Sequence, residues 1–396
     1  MALRDVDSTA APVVPSGLGE LDRVLGGGFV AGSTTLLYGE PGVGKSTLAL
    51  VALREMVRHG ARGLLVSSEE SATQVAQRAR RLGEIPDGLD VATTTSLDEV
   101  EALVRQGGRV MCVVDSVSAV RDEALSAVAG SPPQLRQVAE RLCAAARSAN
   151  SALLLIGHVT KDGELAGPRA LEHVVDTVLR FDGDRHATLR VLRAQKHRFG
   201  STGEVGLFEL SADALTDFRD ADLVSRARPE VPGVVWTVTK DGSRSFLVEI
   251  QALVVGSGGT PRRVAHQLSA QRLALMLAVL ESRVGLEVGG VDVFAASAGG
   301  LSAHEPAADL ALAVAVASAA RGFVVAPSLV AIGEVGLAGE LRAVSDLARR
   351  VHEAGRRGAT TLLVPREGEF SSSPGVKVLR CASLADAVAA AQGGTT

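Results

Sequence analysis

The sequence predicts an α/β fold: a mainly parallel sheet covered by helices on both faces, followed by a smaller α/β domain. Three observations carry this expectation. From Gly17 to about Phe218, apolar β-prone runs alternate with stretches of helical period, the signature of linked βαβ units. Residues 39–46 read GEPGVGKS, a full match to the phosphate-binding loop G-x-x-x-x-G-K-[ST], which belongs between a strand and a helix. Hydrophobic residues make up 46% of the chain and aromatics only 3%, so its cores use small aliphatic side chains, which suit α/β layers.

The elements follow in order. Residues 1–15 read as a flexible tail, 16–220 as the first domain, 221–232 as a linker and 233–396 as the second domain. In the first domain, strands are predicted at 36–39, 63–68, 110–116, 152–158 and 187–195, with helices at 46–59, 71–82, 97–106, 133–149 and 169–175. The linker is charged and holds Pro229 and Pro232. The second domain opens with a hairpin over 234–255 that has Asp241-Gly242 in its turn. An irregular basic loop (256–263), a helix (265–285) and a strand leading into a Gly-rich turn (291–300) follow. Next come an Ala-rich buried helix (305–322), short strands around turns (329–344), an amphipathic helix (345–358) and a strand (360–365). No short tandem repeat is present.

Composition narrows the function classes. A length of 396 residues suits two or three domains, and the net charge of −4 is no global basic signature. A nucleic-acid partner would have to meet a local basic surface or an oligomeric channel. Cys112, Cys143 and Cys381 are far apart and form no CxxC pair, which supports neither a zinc ribbon nor a disulfide framework and fits a reducing cytoplasm. The N-terminus has no apolar signal core, and no run reaches the roughly 18 apolar residues of a membrane span. The basic residues are almost all arginine, the lysines being Lys45, Lys161, Lys196, Lys240 and Lys377.

The candidate site gathers around the phosphate loop. Gly39, Glu40, Pro41, Gly42, Val43, Gly44, Lys45, Ser46 and Thr47 would bind ATP. Here the glycines allow the tight turn, the helix N-terminus adds its positive end, Lys45 reaches the β- and γ-phosphates and Ser46 ligates Mg²⁺. VMCVVDS (110–116) ends a hydrophobic strand in Asp115, the second nucleotide signature, which holds Mg²⁺ or its water. SSEES (67–71) ends the strand directly after the first helix, where RecA-type ATPases place the glutamate that polarises water; Glu69 and Glu70 compete for that role. His158 ends the fourth strand and is placed to sense the γ-phosphate. The loop after it holds Lys161, Gly163, Gly167, Pro168 and Arg169, suited to a polyanion. In KHRFG (196–200), Lys196 and Arg198 alternate along an extended chain and so share a side. The bland reading of the acid pair and the basic turn is ordinary surface, and that of His158 is a structural, satisfied histidine.

SGLGELDRVLGGG (16–28), GEPGVGKST (39–47), VSSEES (66–71), VVDS (113–116), GHVTKDGELAGPRALEHVVD (157–176) and KHRFG together resemble the bacterial RadA (Sms) family over roughly residues 15–390. These are RecA-like recombination and repair ATPases fused to a Lon-protease-like domain. The resemblance implies a DNA-dependent ATPase that uses ATP and Mg²⁺ and forms a homo-hexameric ring on single-stranded and branched DNA in the cytoplasm, alongside the RecA recombinase. It implies the catalytic set Lys45, Glu69, Glu70, Asp115, Lys196 and Arg198, the last two reaching a neighbouring subunit. DNA-facing candidates are Lys161, Arg169, Arg262 and Arg263, with Arg349, Arg350, Arg356 and Arg357 as one helical basic stripe. Two departures stand out. The family usually opens with a four-cysteine zinc finger, and this chain starts beyond where that would end, so no zinc is expected. The family motif is usually K-N-R-F-G, and position 197 here is His.

The C-terminal part looks like the Lon peptidase fold, whose active members use a Ser–Lys dyad. Against that pattern the serine position falls on Ala307 and the lysine position on Arg350, so peptidase activity is not expected. Three alternatives compete: a KaiC-like signalling ATPase without DNA, an ATP-dependent protease, and a structural DNA clamp with a vestigial ATPase.

Overall fold

The computed structural model describes residues 12–108, 110–158, 171–183, 188–211, 214–218, 231–298, 301–371 and 375–393. The chain divides into two compact units, Met1–Phe218 and Arg219–Thr396.

In the first unit a short ribbon pairs β1 (Val13–Val14) with β2 (Phe29–Val30) around α1 (Gly19–Val24). The main elements are β3 (Thr34–Gly39), α2 (Lys45–Arg58), β4 (Gly63–Ser67), α3 (Ala72–Arg81), β5 (Leu89–Thr93), α4 (Leu97–Arg105), β6 (Met111–Asp115), α5 (Pro132–Ala149) and β7 (Ala152–His158). Then come β8 (Thr177–Asp182), β9 (Leu189–His197), β10 (Val205–Leu210) and β11 (Leu215–Asp217). They form a nine-stranded sheet in the order β11-β10-β9-β8-β3-β7-β6-β4-β5. The strands from β8 to β5 run parallel, and β9, β10 and β11 extend the sheet antiparallel.

The doubly covered sheet is visible residue by residue, because successive strand side chains face opposite sides. Leu37, Leu65, Met111, Val113 and Leu154 join a core with α1, α2 and α3. Their neighbours Leu36, Leu64, Cys112, Val114 and Leu155 join a second core with α4 and α5. Near-continuous apolar strands such as MCVV are what a sheet buried on both faces requires.

The mainly parallel sheet agrees with the sequence expectation, with differences in detail. The expected helix at 169–175 is helical only at 171 and 172 among its described residues, and the chain then turns into β8. Strands β5, β8, β10 and β11 were not anticipated. LDVAT in β5 is a half-exposed edge strand with little apolar period, and β10 and β11 are held by antiparallel pairing to β9 rather than by a pattern of their own.

The second unit holds β12 (Val234–Asp241), β13 (Arg244–Gly256), β14 (Arg263–His266), α6 (Ala270–Val284), β15 (Val291–Ser297), a 3₁₀ turn (Pro306–Ala308) and α7 (Asp309–Arg321). After these come β16 (Leu329–Ala331), β17 (Glu334–Val335), β18 (Leu341–Arg342), α8 (Leu347–Arg356), β19 (Thr361–Pro365), β20 (Lys377–Cys381) and α9 (Leu384–Gly393). Its mixed sheet runs β14-β15-β13-β12-β16-β19-β20. In the β12–β13 hairpin Asp241 pairs with Arg244, so the turn is Gly242-Ser243, one residue later than expected. Residues 263–266, expected as loop and helix start, add a parallel strand to β15 instead, and Ser269 caps the helix by accepting from the Arg272 amide at 3.3 Å. Helix α7 is buried on every side from Asp309 to Ser318.

The basic stripe on α8 is not present. Residues seven apart do share a helix face, but adjacent residues lie about 100° apart. Arg350 and Arg357 therefore turn inward while Arg349 and Arg356 stay exposed. Arg350 is fully buried; its guanidinium forks onto Glu305 at 2.6 and 2.7 Å and also donates to the Val238 and Ser345 carbonyls at 2.8 and 2.9 Å. Glu353 takes Arg357 at 2.7 Å and Arg356 at 2.8 Å. Replacing Arg350 by Ala leaves the Glu305 carboxylate without its fork and is expected to destabilise the second unit by about 3–5 kcal/mol in urea unfolding. Arg350→Lys should recover only part of this, because an ammonium cannot fork.

Candidate nucleotide site

The parallel strands bring their carboxyl ends to one edge of the sheet. Gly39 pairs with His158, and Asp115 pairs with both Ile156 and Ser67. The phosphate loop, Asp115 and the Glu69-Glu70 pair thus leave the same edge, where ligands of open α/β sheets bind.

The loop's glycines have steric reasons. Gly42 (φ +83°) and Gly44 (φ +107°) occupy the left-handed region that side chains resist. A Cβ on Gly39 would lie 2.1 Å from the Phe181 carbonyl oxygen, whereas one on Gly42 would meet nothing within 4 Å, so the loop is open on its Gly42 side. Helix α2 starts at Lys45 with Gly44 as its N-cap, presenting unbonded amides and the positive dipole end. Ser46 and Thr47 are half-buried in its first turn.

Lys45 is buried, and its Nζ donates to the loop's own carbonyls, Gly39 at 2.9 Å and Glu40 at 3.0 Å. Burial pushes its ammonium down to about 8, with the Asp115 and Glu69 carboxylates pulling the other way. Asp115 is buried at the strand end, and its carbonyl accepts the Ser68 amide at 2.8 Å.

The two glutamates diverge. Glu69 accepts a hydrogen bond from the Ser116 hydroxyl, which also lies 2.7 Å from Ser118 Oγ. Glu70 pairs instead with Arg78 of α3 at 2.8 Å, and its backbone is clasped by Ser67 Oγ. Arg78 also stands 3.7 Å from Asp115 Oδ2. Ser116 and Arg78 were not singled out from the sequence. Ser116 stood in the VVDS motif, whereas Arg78 reaches the site only through the tertiary position of α3.

In KHRFG the register slips between β8 and β9, so that Val178 faces Lys196 and Leu179 faces Ala194. This bulge leaves Gln195 over and re-aims Lys196. Lys196 donates to the Glu172 and Val175 carbonyls at 2.6 and 2.8 Å, and Arg198 pairs with Asp176 at 2.8 Å. Both cations therefore close on the segment 172–176 of their own chain. Burial first, and Arg198 second, hold the Lys196 ammonium below its ordinary value. His197 Nδ1 lies 3.0 Å from Thr177 Oγ1.

The remaining candidates are spread out. His158 ends β7 beside Gly39. Lys161 and Arg169 lie outside the described residues. Arg262 and Arg263 belong to the second unit and serve its sheet: Arg262 holds Asp292 at 2.8 Å, and Arg263 donates to the carbonyls of Val288 and Gly289 at 2.8 and 3.0 Å. Among the described residues no three His, Cys, Asp or Glu side chains converge as a metal cage. Mg²⁺ held through a nucleotide needs only one or two protein ligands, and Ser46 and Asp115 fit that donor set.

Bound phosphates would restore the charge of Lys45. Nucleotide affinity is therefore expected to be flat below about pH 8 and to fall above it, with proton uptake on binding near pH 9. Titration calorimetry in two buffers of different ionisation enthalpy checks this, and Lys45→Ala should abolish the uptake.

The KaiC family of ATPases matches residues 14–90, and the Lon protease (S16) C-terminal proteolytic domain matches residues 291–373. The DNA repair protein RadA of Mycobacterium tuberculosis (strain ATCC 25618 / H37Rv) is 43% identical over 393 residues, covering 97% of this chain and 81% of its own. The DNA repair protein RadA of Bacillus subtilis (strain 168) is 38% identical, covering 99% and 87%, and that of Pseudomonas aeruginosa is 42% identical, covering 98% and 86%. At such identity over nearly its whole length, the chain belongs to the RadA family of DNA repair proteins, RecA-like ATPases with a Lon-type second domain.

Proposed function

We propose that the chain is a DNA-dependent ATPase of homologous recombination and repair, working in the cytoplasm as a hexameric ring on single-stranded DNA. In this reading residues 16–220 form the motor and 233–396 the assembly scaffold. The convergence of Lys45, Glu69 and Asp115 at the carboxyl edge of the first sheet supports it most directly.

The loop amides and Lys45 hold the phosphates, and Ser46 and Asp115 would hold Mg²⁺, which would supply positive charge against them when bound. Glu69, steadied by Ser116, orients the attacking water, while Arg78 keeps Glu70 out of that role. Lys196 and Arg198 leave their contacts on 172–176 and stabilise charge in a neighbour's site. Cycles of this exchange move basic loops on DNA and drive branch migration of recombination intermediates beside RecA. The second unit supplies no peptidase chemistry. Ala307 has no nucleophile, and Arg350 is committed to its fork onto Glu305, so neither fits a Ser–Lys dyad.

The first test is the ATPase rate with and without single-stranded DNA, for wild type and Lys45→Ala. Stimulation by DNA and its loss in the variant are expected; turnover indifferent to DNA, without DNA binding, removes the DNA-motor reading. The assignment of the two acids is separable. Glu69→Gln should lose about a hundredfold or more in kcat with nucleotide binding kept, and Glu70→Gln less than about tenfold. Equal losses would sink the distinction.

A further inference from the structure

Arg190 does not belong to any motif of the chain, yet it is buried on β9, opposite Phe208 of β10, with its side chain beneath the phosphate loop. Its Nε donates to the Val43 carbonyl at 2.9 Å, and Nη1 donates to the Leu189 carbonyl at 3.0 Å. A buried guanidinium carries a heavy desolvation penalty that an apolar residue would avoid. An arginine at an inward strand position therefore points to a task beyond packing.

The task follows from peptide geometry. The carbonyl of Val43 and the amide of Gly44 are one planar unit, and in a trans peptide the two groups point to opposite sides. Gripping the carbonyl from below therefore turns the Gly44 N–H to the opposite side of the peptide, away from the strand floor. A charged donor on the carbonyl also polarises that peptide and strengthens its N–H as a donor to an anion. The surroundings leave little freedom. A Cβ on Gly44 would meet Leu210 at 3.1 Å, one on Gly39 would meet the Phe181 carbonyl at 2.1 Å, and one on Gly183 would meet the Arg190 side chain at 2.4 Å. Strands β8, β9 and β10 thus form the floor of the loop, with Arg190 pinning Val43.

We propose that Arg190 is a positioning residue of the nucleotide site, fixing the Val43–Gly44 peptide so that its N–H faces a bound phosphate. This rests on the reading of the loop as an ATP site. The test uses the full chain as wild type, Lys45→Ala, Arg190→Met and Arg190→Lys, with a fluorescent ADP titration, the KM and kcat for ATP, and amide exchange of residues 42–46. Arg190→Met is expected to weaken ADP binding and raise KM about tenfold, the effect of losing one charge-assisted hydrogen bond. In the same variant kcat should stay within about threefold, with the loop amides exchanging faster and those of β3 and β6 unchanged. Arg190→Lys should recover part of the affinity and remain at least about threefold weaker than wild type. A folded Arg190→Met that binds within about twofold of wild type overturns the proposal. If Arg190→Met does not fold, wild-type affinity and loop exchange in Arg190→Lys overturn it equally, because any cation would then suffice. Absence of nucleotide binding by wild type, or equal binding by Lys45→Ala, would instead remove the ATP-site reading itself.

Discussion

A lysine ammonium held out of water needs oxygen around it, and the first unit is organised about that need at Lys45. In this structure the Gly39 and Glu40 carbonyls supply hydrogen bonds while Asp115 and Glu69 supply charge. Burial still outweighs them and holds the ammonium down at about 8. Every neighbouring feature serves this point. The loop glycines keep its path open, α2 places its amides on the same side, and the alignment of strand ends brings the acids within electrostatic reach.

The same logic of buried charge shapes the second unit with the opposite outcome. Arg350 lies fully inside, and Glu305 with two carbonyls satisfies its donors. Ala307 packs in the same core cluster as Leu347 and Val351 of α8. Arg350 is held by a carboxylate, and the pair is a structural tie.

Much of this was legible in the sequence, and the reason differs element by element. Strands buried on both faces announce themselves as apolar runs, so β3, β4, β6 and β7 were visible, and with them the strand ends that carry Gly39, Asp115 and His158. The phosphate loop was visible because its chemistry demands particular residues in order. By contrast β5, β10, β11 and β14 owe their conformation to a partner strand supplied from elsewhere in the chain, which local periodicity cannot register. The α8 stripe misled for a related reason: seven-residue spacing marks a shared face but does not say which face looks at water.

The sequence by itself determined the α/β class, the βαβ order and the residue types of the nucleotide loop, since these follow from local pattern and from what phosphate requires of a backbone. Only the tertiary structure decided which of two adjacent glutamates turns toward Ser116 and which toward Arg78. It alone placed Lys196 and Arg198 on the segment 172–176, and Arg190 under Val43. Each of these is a contact between groups distant along the chain, set by how strands register and helices pack, and hydrogen bonds of that kind leave no periodic trace in the order of the residues.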